Sequence, residues 1–205
     1  IRDFCRSRGL GDVYKRQVFT RMLMGPMDYT PGGLRNSAKK DFNVCWNLPQ
    51  TQGTRAHQTA MYIVYFAPLQ MLCDSASEYL KNPEILKFMS ETPTTWDETK
   101  VIEGKLGKYI IVARRSGDDW YIGGMCDWDG READIDLSQI LQPDTAYKAE
   151  IISDGANAGK IGTDFKYSVK ELSSSDRLKL KMAPGGGFAV KLSPKSFDIF
   201  GLEIF

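Results

Sequence analysis

From Trp96 to Leu192 the chain alternates apolar and polar residues in short runs, broken at close intervals by turn residues, and few folds accept that pattern. A period of two places successive side chains on opposite faces of a strand. The runs are Thr99–Glu103, Tyr109–Arg114, Trp120–Trp128, Arg131–Leu137, Tyr147–Ile152, Phe165–Leu172, Leu178–Met182 and Phe188–Leu192. Turn clusters separate most of them, among them Asp129-Gly130, a preferred pair for a two-residue hairpin because both residues accept positive φ. Residues 93–195 are therefore expected to form an antiparallel β-sandwich. Pro184–Gly187 has the composition of a phosphate loop, but alternating runs flank it and no helical period follows, so a wide hairpin turn is expected there.

Pro93–Lys100 marks a seam, because the chain before it reads differently. Val18–Met24 and Pro68–Asp74 are short apolar runs that read as buried strands, the first closing near Asp28 and the second on Asp74. Arg55–Phe66 has Ala56, Ala60, Ile63 and Val64 at helical spacing after Thr54, and Pro68 stops it. Ser75 with Glu78 forms a capping-box pattern for a second helix, and Pro83 fits the first turn of a third, over Glu84–Ser90. Residues 34–53 show no period and read as a loop or broken helix. Strand, loop, helix, strand, helix is the order of two βα units. These are too few to close a parallel barrel, which needs about eight. At the seam, Trp96 is expected to be buried between the two parts, with Asp97 and Glu98 tying them together.

Residues 1–17 lack any period, and Arg8–Gln17 resembles a translated sequencing adaptor, so this leader is set apart from the fold. Five basic residues lie in it (Arg2, Arg6, Arg8, Lys15, Arg16) against two acidic ones (Asp3, Asp12), so without it the formal charge of +1 turns slightly negative. That removes the case for nucleic acid. No apolar run approaches the roughly eighteen residues of a membrane span. Cys5, Cys45, Cys73 and Cys126 lack the spacing of a zinc or redox motif, and Cys73 and Cys126 read as buried free thiols. Asp127, Asp129, Glu132, Asp134 and Asp136 do not fit a calcium loop, which needs a third oxygen ligand before its Gly and a Glu at its end. One histidine, without a nucleophile elbow or a second His at metal spacing, argues against a serine triad or a zinc enzyme. Asp28 is either a substrate-facing group at a strand end or a loop cap, and His57 either a donor into a pocket or a cap for a neighbouring backbone group. Residues 196–205 read as a tail.

Three stretches together resemble one family: Phe19–Gly32 (FTRMLMGPMDYTPG), Gly53–Gln58 (GTRAHQ) with Pro68–Leu72 (PLQML), and Pro93–Lys100 (PTTWDETK). The likeness continues through Ile111–Arg115, Asp119–Gly123 and Ala183–Phe188, over residues 18 to about 194. They are similar to glycoside hydrolase family 97, the α-glucosidase and α-galactosidase group. The resemblance implies the last two βα units of a (β/α)8 barrel over residues 18–92, followed by a C-terminal β domain. It also implies calcium among active-site carboxylates in the full-length enzyme, an oligosaccharide substrate and a periplasmic or secreted location. The family's catalytic acid and base lie upstream of Val18, so no catalytic residue and no metal ligand is carried over. Asp28, Arg21 and His57 match positions near the open end of the barrel and are the expected substrate-binding residues. The alternative is an autonomous β module that binds carbohydrate or self-associates, using Trp120, Tyr121 and Trp128.

Overall fold

The computed structural model describes residues 16–27 and 29–195. All eight expected strands form. β3 (Glu98–Lys105), β4 (Tyr109–Ser116), β5 (Asp119–Cys126), β10 (Gly187–Pro194), β7 (Tyr147–Asp154) and β8 (Phe165–Leu172) make one antiparallel sheet in that order. β6 (Arg131–Asp136) and β9 (Arg177–Met182) form a second, two-stranded sheet. Upstream, β1 (Asn36–Ser37) and β2 (Thr51–Gln52) make a short parallel pair inside the segment expected to be loop. The helices are α1 (Arg55–Val64), α2 (Ala76–Leu80) and α3 (Pro83–Glu91).

The large sheet is covered on both faces, which explains why β5 is buried along almost its whole length. Ile111, Ala113, Trp120, Ile122, Ile151 and Val190 face β6 and β9 and pack with Ala133, Ile135, Leu178 and Met182. Alternate residues face the helices: Ile110, Val112 and Met125 meet Ala60 and Val64, while Tyr121, Ile152 and Ala189 meet Ala56, Tyr62 and Ile63. Strand register carries this division across the sheet, since Val112, Gly123 and Ala189 stand side by side, as do Ala113, Ile122 and Val190.

Helix α1 lies hard against the sheet because Gly123 has no side chain. A Cβ there would meet Val64 Cγ2 at 2.9 Å, Ile63 Cβ at 3.0 Å and the Ala60 carbonyl oxygen at 3.1 Å. The other end of the helix is equally close, where a Cβ on Gly187 would meet His57 Cα at 2.9 Å. At the helix C-terminus Arg114, on β4, donates from Nη2 to the Val64 carbonyl at 3.2 Å. Its guanidinium lies 5.6 Å from the Phe66 ring centroid and 5.7 Å from that of Trp96, and burial lowers its pKa to about 10.

The upstream segment departs from expectation. Val18–Met24 is a turn followed by a 3-10 helix (Arg21–Met24), with Leu23 79% and Met24 90% exposed. Pro68–Asp74 is irregular, and Leu69, Met71 and Leu72 are exposed. An apolar run becomes a buried strand only where a neighbour takes up its backbone groups, and among the described residues neither run has a sheet partner. The Ser75 side chain makes no cap bond to α2, and Glu78 pairs instead with Lys81 and Arg35. Trp96 is half-buried at the helix–sheet junction, edge-on to Tyr121 with centroids 5.3 Å apart. Asp97 and Glu98, by contrast, serve the sheet itself. Asp97 accepts from the Gly117 amide at 2.7 Å and Glu98 pairs with Arg115 at 3.3 Å.

Gly123→Val is expected to push α1 off the sheet and lower stability by about 1–3 kcal/mol, the usual cost of overpacking. Urea unfolding measures it, and an unchanged midpoint would show that the helix does not need this close approach.

Candidate functional site

A polar network surrounds Ala183–Gly186, which carries the chain from β9 in the small sheet to β10 in the large one. It is an arch between sheets, not the wide hairpin expected, because β9 pairs with β6 while β10 pairs with β5 and β7. Gly185 sits at φ +69°, and a Cβ there would collide with the Trp128 ring. The Gly185 amide donates to the Asp127 carbonyl at 2.8 Å, and its carbonyl accepts from Thr54 N at 3.2 Å. The Gly186 carbonyl accepts from Cys126 N at 3.0 Å and lies 2.9 Å from His57 Nδ1.

Asp154, at the end of β7, closes the arch from below. Its Oδ2 accepts from the amides of Ala183 at 2.8 Å and Gly187 at 3.0 Å, while its Oδ1 is buried without a hydrogen-bond partner. Burial raises its pKa to about 6, against the opposing pull of the Thr54 hydroxyl and the two arch amides. Thr54 is also the N-cap of α1 and accepts from His57 N at 3.1 Å. One network thus ties α1, β5, β7 and β10 together. Beside it a cleft of about 730 Å³ opens between Asp154, Glu132 and Lys181.

Of the expected site residues, His57 and Arg21 are described. His57 is buried in the first turn of α1 with Nδ1 against a backbone carbonyl, the arrangement of a backbone cap. Arg21 is exposed on the 3-10 helix, and Asp28 lies outside the described residues. Trp120 and Tyr121 are buried, because β5 is a central strand covered on both faces, so neither is an exposed sugar platform. Trp128 packs on Gly185 beneath Lys39, whose Nζ is 5.5 Å from the ring centroid. Cys45, Cys73 and Cys126 form no disulfide; Cys126 is buried as expected, while Cys73 is only partly so.

Four of the acids between Asp127 and Asp136 are committed to structural partners. Lys108 binds Asp127 at 3.0 Å and Asp129 at 2.6 Å, and these bonds raise its own pKa. Arg177 holds Asp134 at 3.0 Å and Asp136 at 3.3 Å. No group of three or more His, Cys, Asp or Glu among the described residues is placed to hold a metal ion. Asp154 was missed from sequence, and Thr54 was read only as the residue that precedes the helix. Asp154-Gly155 signals a turn and nothing more, since the partners that bury Asp154 lie at positions 54, 183 and 187.

Residues 95–193 match the family model described as glycosyl-hydrolase 97 C-terminal, oligomerisation. A retaining alpha-galactosidase of Bacteroides thetaiotaomicron is 45% identical over 174 residues, 85% of this chain and 26% of that protein. A probable retaining alpha-galactosidase of Streptomyces bingchenggensis is 25% identical over 171 residues, 83% of this chain and 24% of that protein. The chain thus spans about a quarter of the length of these curated relatives. Among solved structures, a glycoside hydrolase family 97 enzyme in complex with acarbose, from Pseudoalteromonas sp. strain K8, superposes with a TM-score of 0.81 at 34% identity, over 90% of this chain and 28% of that one. A beta-arabinopyranosidase shares the fold at a TM-score of 0.71 and 22% identity, over 90% of this chain and 28% of that one.

Asp154 lies inside the matched segment and gives it a pH signature. Its folded-state pKa is raised above the ordinary 3.8, so the stability it contributes is complete below about pH 4 and lost as pH rises through about 6. Asp154→Asn is expected to remove that decline, worth up to about 3 kcal/mol. Urea unfolding of both forms between pH 4 and 7 measures it, and parallel curves would rule the shift out. With a model match through the β domain and a 45% identical relative spanning both parts, the chain belongs to glycoside hydrolase family 97, and its residues 95–193 are that family's C-terminal domain.

Proposed function

We propose that the chain is the C-terminal part of a retaining α-glycosidase acting on α-galactosides, with α-glucosides second, and that its β domain self-associates. The observation that carries the substrate class is the 45% identity to a retaining alpha-galactosidase, spread over both the helical part and the β domain. Self-association is supported by the matched model's own description as an oligomerisation domain.

Cleavage of a glycosidic bond uses two carboxyl groups across the scissile oxygen, about 5–5.5 Å apart when configuration is retained. In the described residues the clustered acids hold Lys108, Arg177 or the arch amides instead. On this reading the catalytic pair and any calcium belong to upstream sequence, residues 18–92 close the barrel, and the chain alone is inactive. Asp28 and Arg21 keep their proposed place near the substrate, and a periplasmic or secreted location goes with the family. Burial of His57 against Gly186 favours its structural role over direct sugar contact.

An aryl α-galactoside and an aryl α-glucoside test this directly. The chain alone is expected to hydrolyse neither, and measurable turnover would overturn its inactivity. Grafted in place of the matching region of the Bacteroides thetaiotaomicron protein, residues 18–195 are expected to support α-galactoside hydrolysis. A chimera that folds but prefers the glucoside would overturn the substrate assignment. Within that chimera Asp28→Ala is expected to lower kcat/KM at least about tenfold, about 1.4 kcal/mol of transition-state binding. Unchanged kinetics would remove Asp28 from the pocket.

A further inference from the structure

Self-association of the β domain, on which this inference rests, requires a surface, and the six-stranded sheet ends in two edges, β3 and β8. The β3 edge is poorly suited to pairing. Its register shifts between Val101 and Glu103, and a Cβ on Gly104 would lie 3.4 Å from the Phe19 ring. Bulges of this kind are how proteins blunt an edge. The β8 edge has no such interruption. All eight residues, Phe165–Leu172, pair with β7 in unbroken register, and Lys166, Val169, Lys170 and Glu171 are exposed. Val169 is 50% exposed near the middle of the strand. A long regular edge of this kind is a template for another strand.

We propose that two copies of this chain join through β8, antiparallel and with the two-fold axis at Val169, so that their large sheets become one continuous sheet. Charge selects the register. A two-fold axis normal to the sheet keeps each residue on its own face, so facing residues have the same parity. Centring on Ser168 sets Lys166 against Lys170 twice, and centring on Lys170 sets that lysine against itself. Like charges directly opposite destabilise a pair. Centring on Val169 sets Val169 against Val169, Tyr167 against Glu171, Ser168 against Lys170 and Lys166 against Leu172. No like charges face, and a β-branched pair occupies the axis. Centring on Tyr167 also avoids repulsion but pairs only residues 165–169 of each strand, against 166–172 for Val169.

Sedimentation equilibrium and cross-linking of the chain and two pairs of variants decide the matter. The chain itself is expected to be a dimer. Val169→Lys, an exposed change that sets two lysines face to face, is expected to weaken the dimer at least about tenfold, while Val101→Lys on the other edge leaves it intact. Directly opposed strand residues have Cα atoms about 4.5–5.5 Å apart, within disulfide range. Val169→Cys is therefore expected to give a covalent dimer on mild oxidation, above the background from exposed Cys45, and Val101→Cys is not. A Val169→Lys protein that dimerises as tightly as the parent, or equal cross-linking at both positions, would overturn the β8 edge while leaving self-association standing. A parent chain that stays monomeric at every concentration would overturn both.

Discussion

The structure depends on one contact, helix α1 pressed against the middle of the six-stranded sheet. Burying nine of the ten residues of α1 requires a flat, apolar surface beneath it. β5 and β10 supply it by placing Gly123, Ala189 and Gly187 where larger side chains would hold the helix away. The same contact explains the composition of the central strands. With one face committed to β6 and β9 and the other to the helix, β4, β5 and β10 read as nearly continuous apolar runs, as strands covered on both faces do.

Polar groups then fix what apolar burial leaves free to slide. Arg114 takes the last carbonyl of α1, and Thr54, His57 and the arch carbonyls take its first turn. Asp154 holds the arch from within the sheet, so the helix N-terminus, the crossing between sheets and the end of β7 share one set of hydrogen bonds. Each group is individually worth about 1 kcal/mol. Their effect is specificity, since they allow a single position for the helix along the strands.

Much of this was legible in the sequence, and what was not has a common cause. The eight strands announce themselves through short alternating or continuous apolar runs and turn chemistry, and α1 through its spacing and its N-cap, because these signals are local. Val18–Met24 and Pro68–Asp74 carry the apolar content of buried strands, but a strand is a relation to a neighbour. The described residues offer neither run one. The arch was misread as a hairpin for the same reason, since which sheet β9 and β10 join is decided by Arg131–Asp136 and Asp119–Cys126 far away in sequence. Trp120 and Tyr121 look alike as exposed aromatics until the second cover of β5 is known. Resemblance to the family supplied what periodicity could not, namely what kind of molecule these elements belong to.

Strand order adds a consequence for synthesis. Among the described residues β10 is made after every other strand of the large sheet, yet it stands in the centre of that sheet between β5 and β7. Until it emerges from the ribosome, β3, β4 and β5 form one open meander and β7 and β8 another, and α1 has only part of its seat. Contacts this distant along the chain form slowly, and unpaired edges are exposed while they wait. The nascent protein must therefore carry an apolar helix and two incomplete half-sheets until β10 slides between them. Chaperone demand during translation should thus fall on the insertion of β10, and loss of that one strand should open the middle of the sheet.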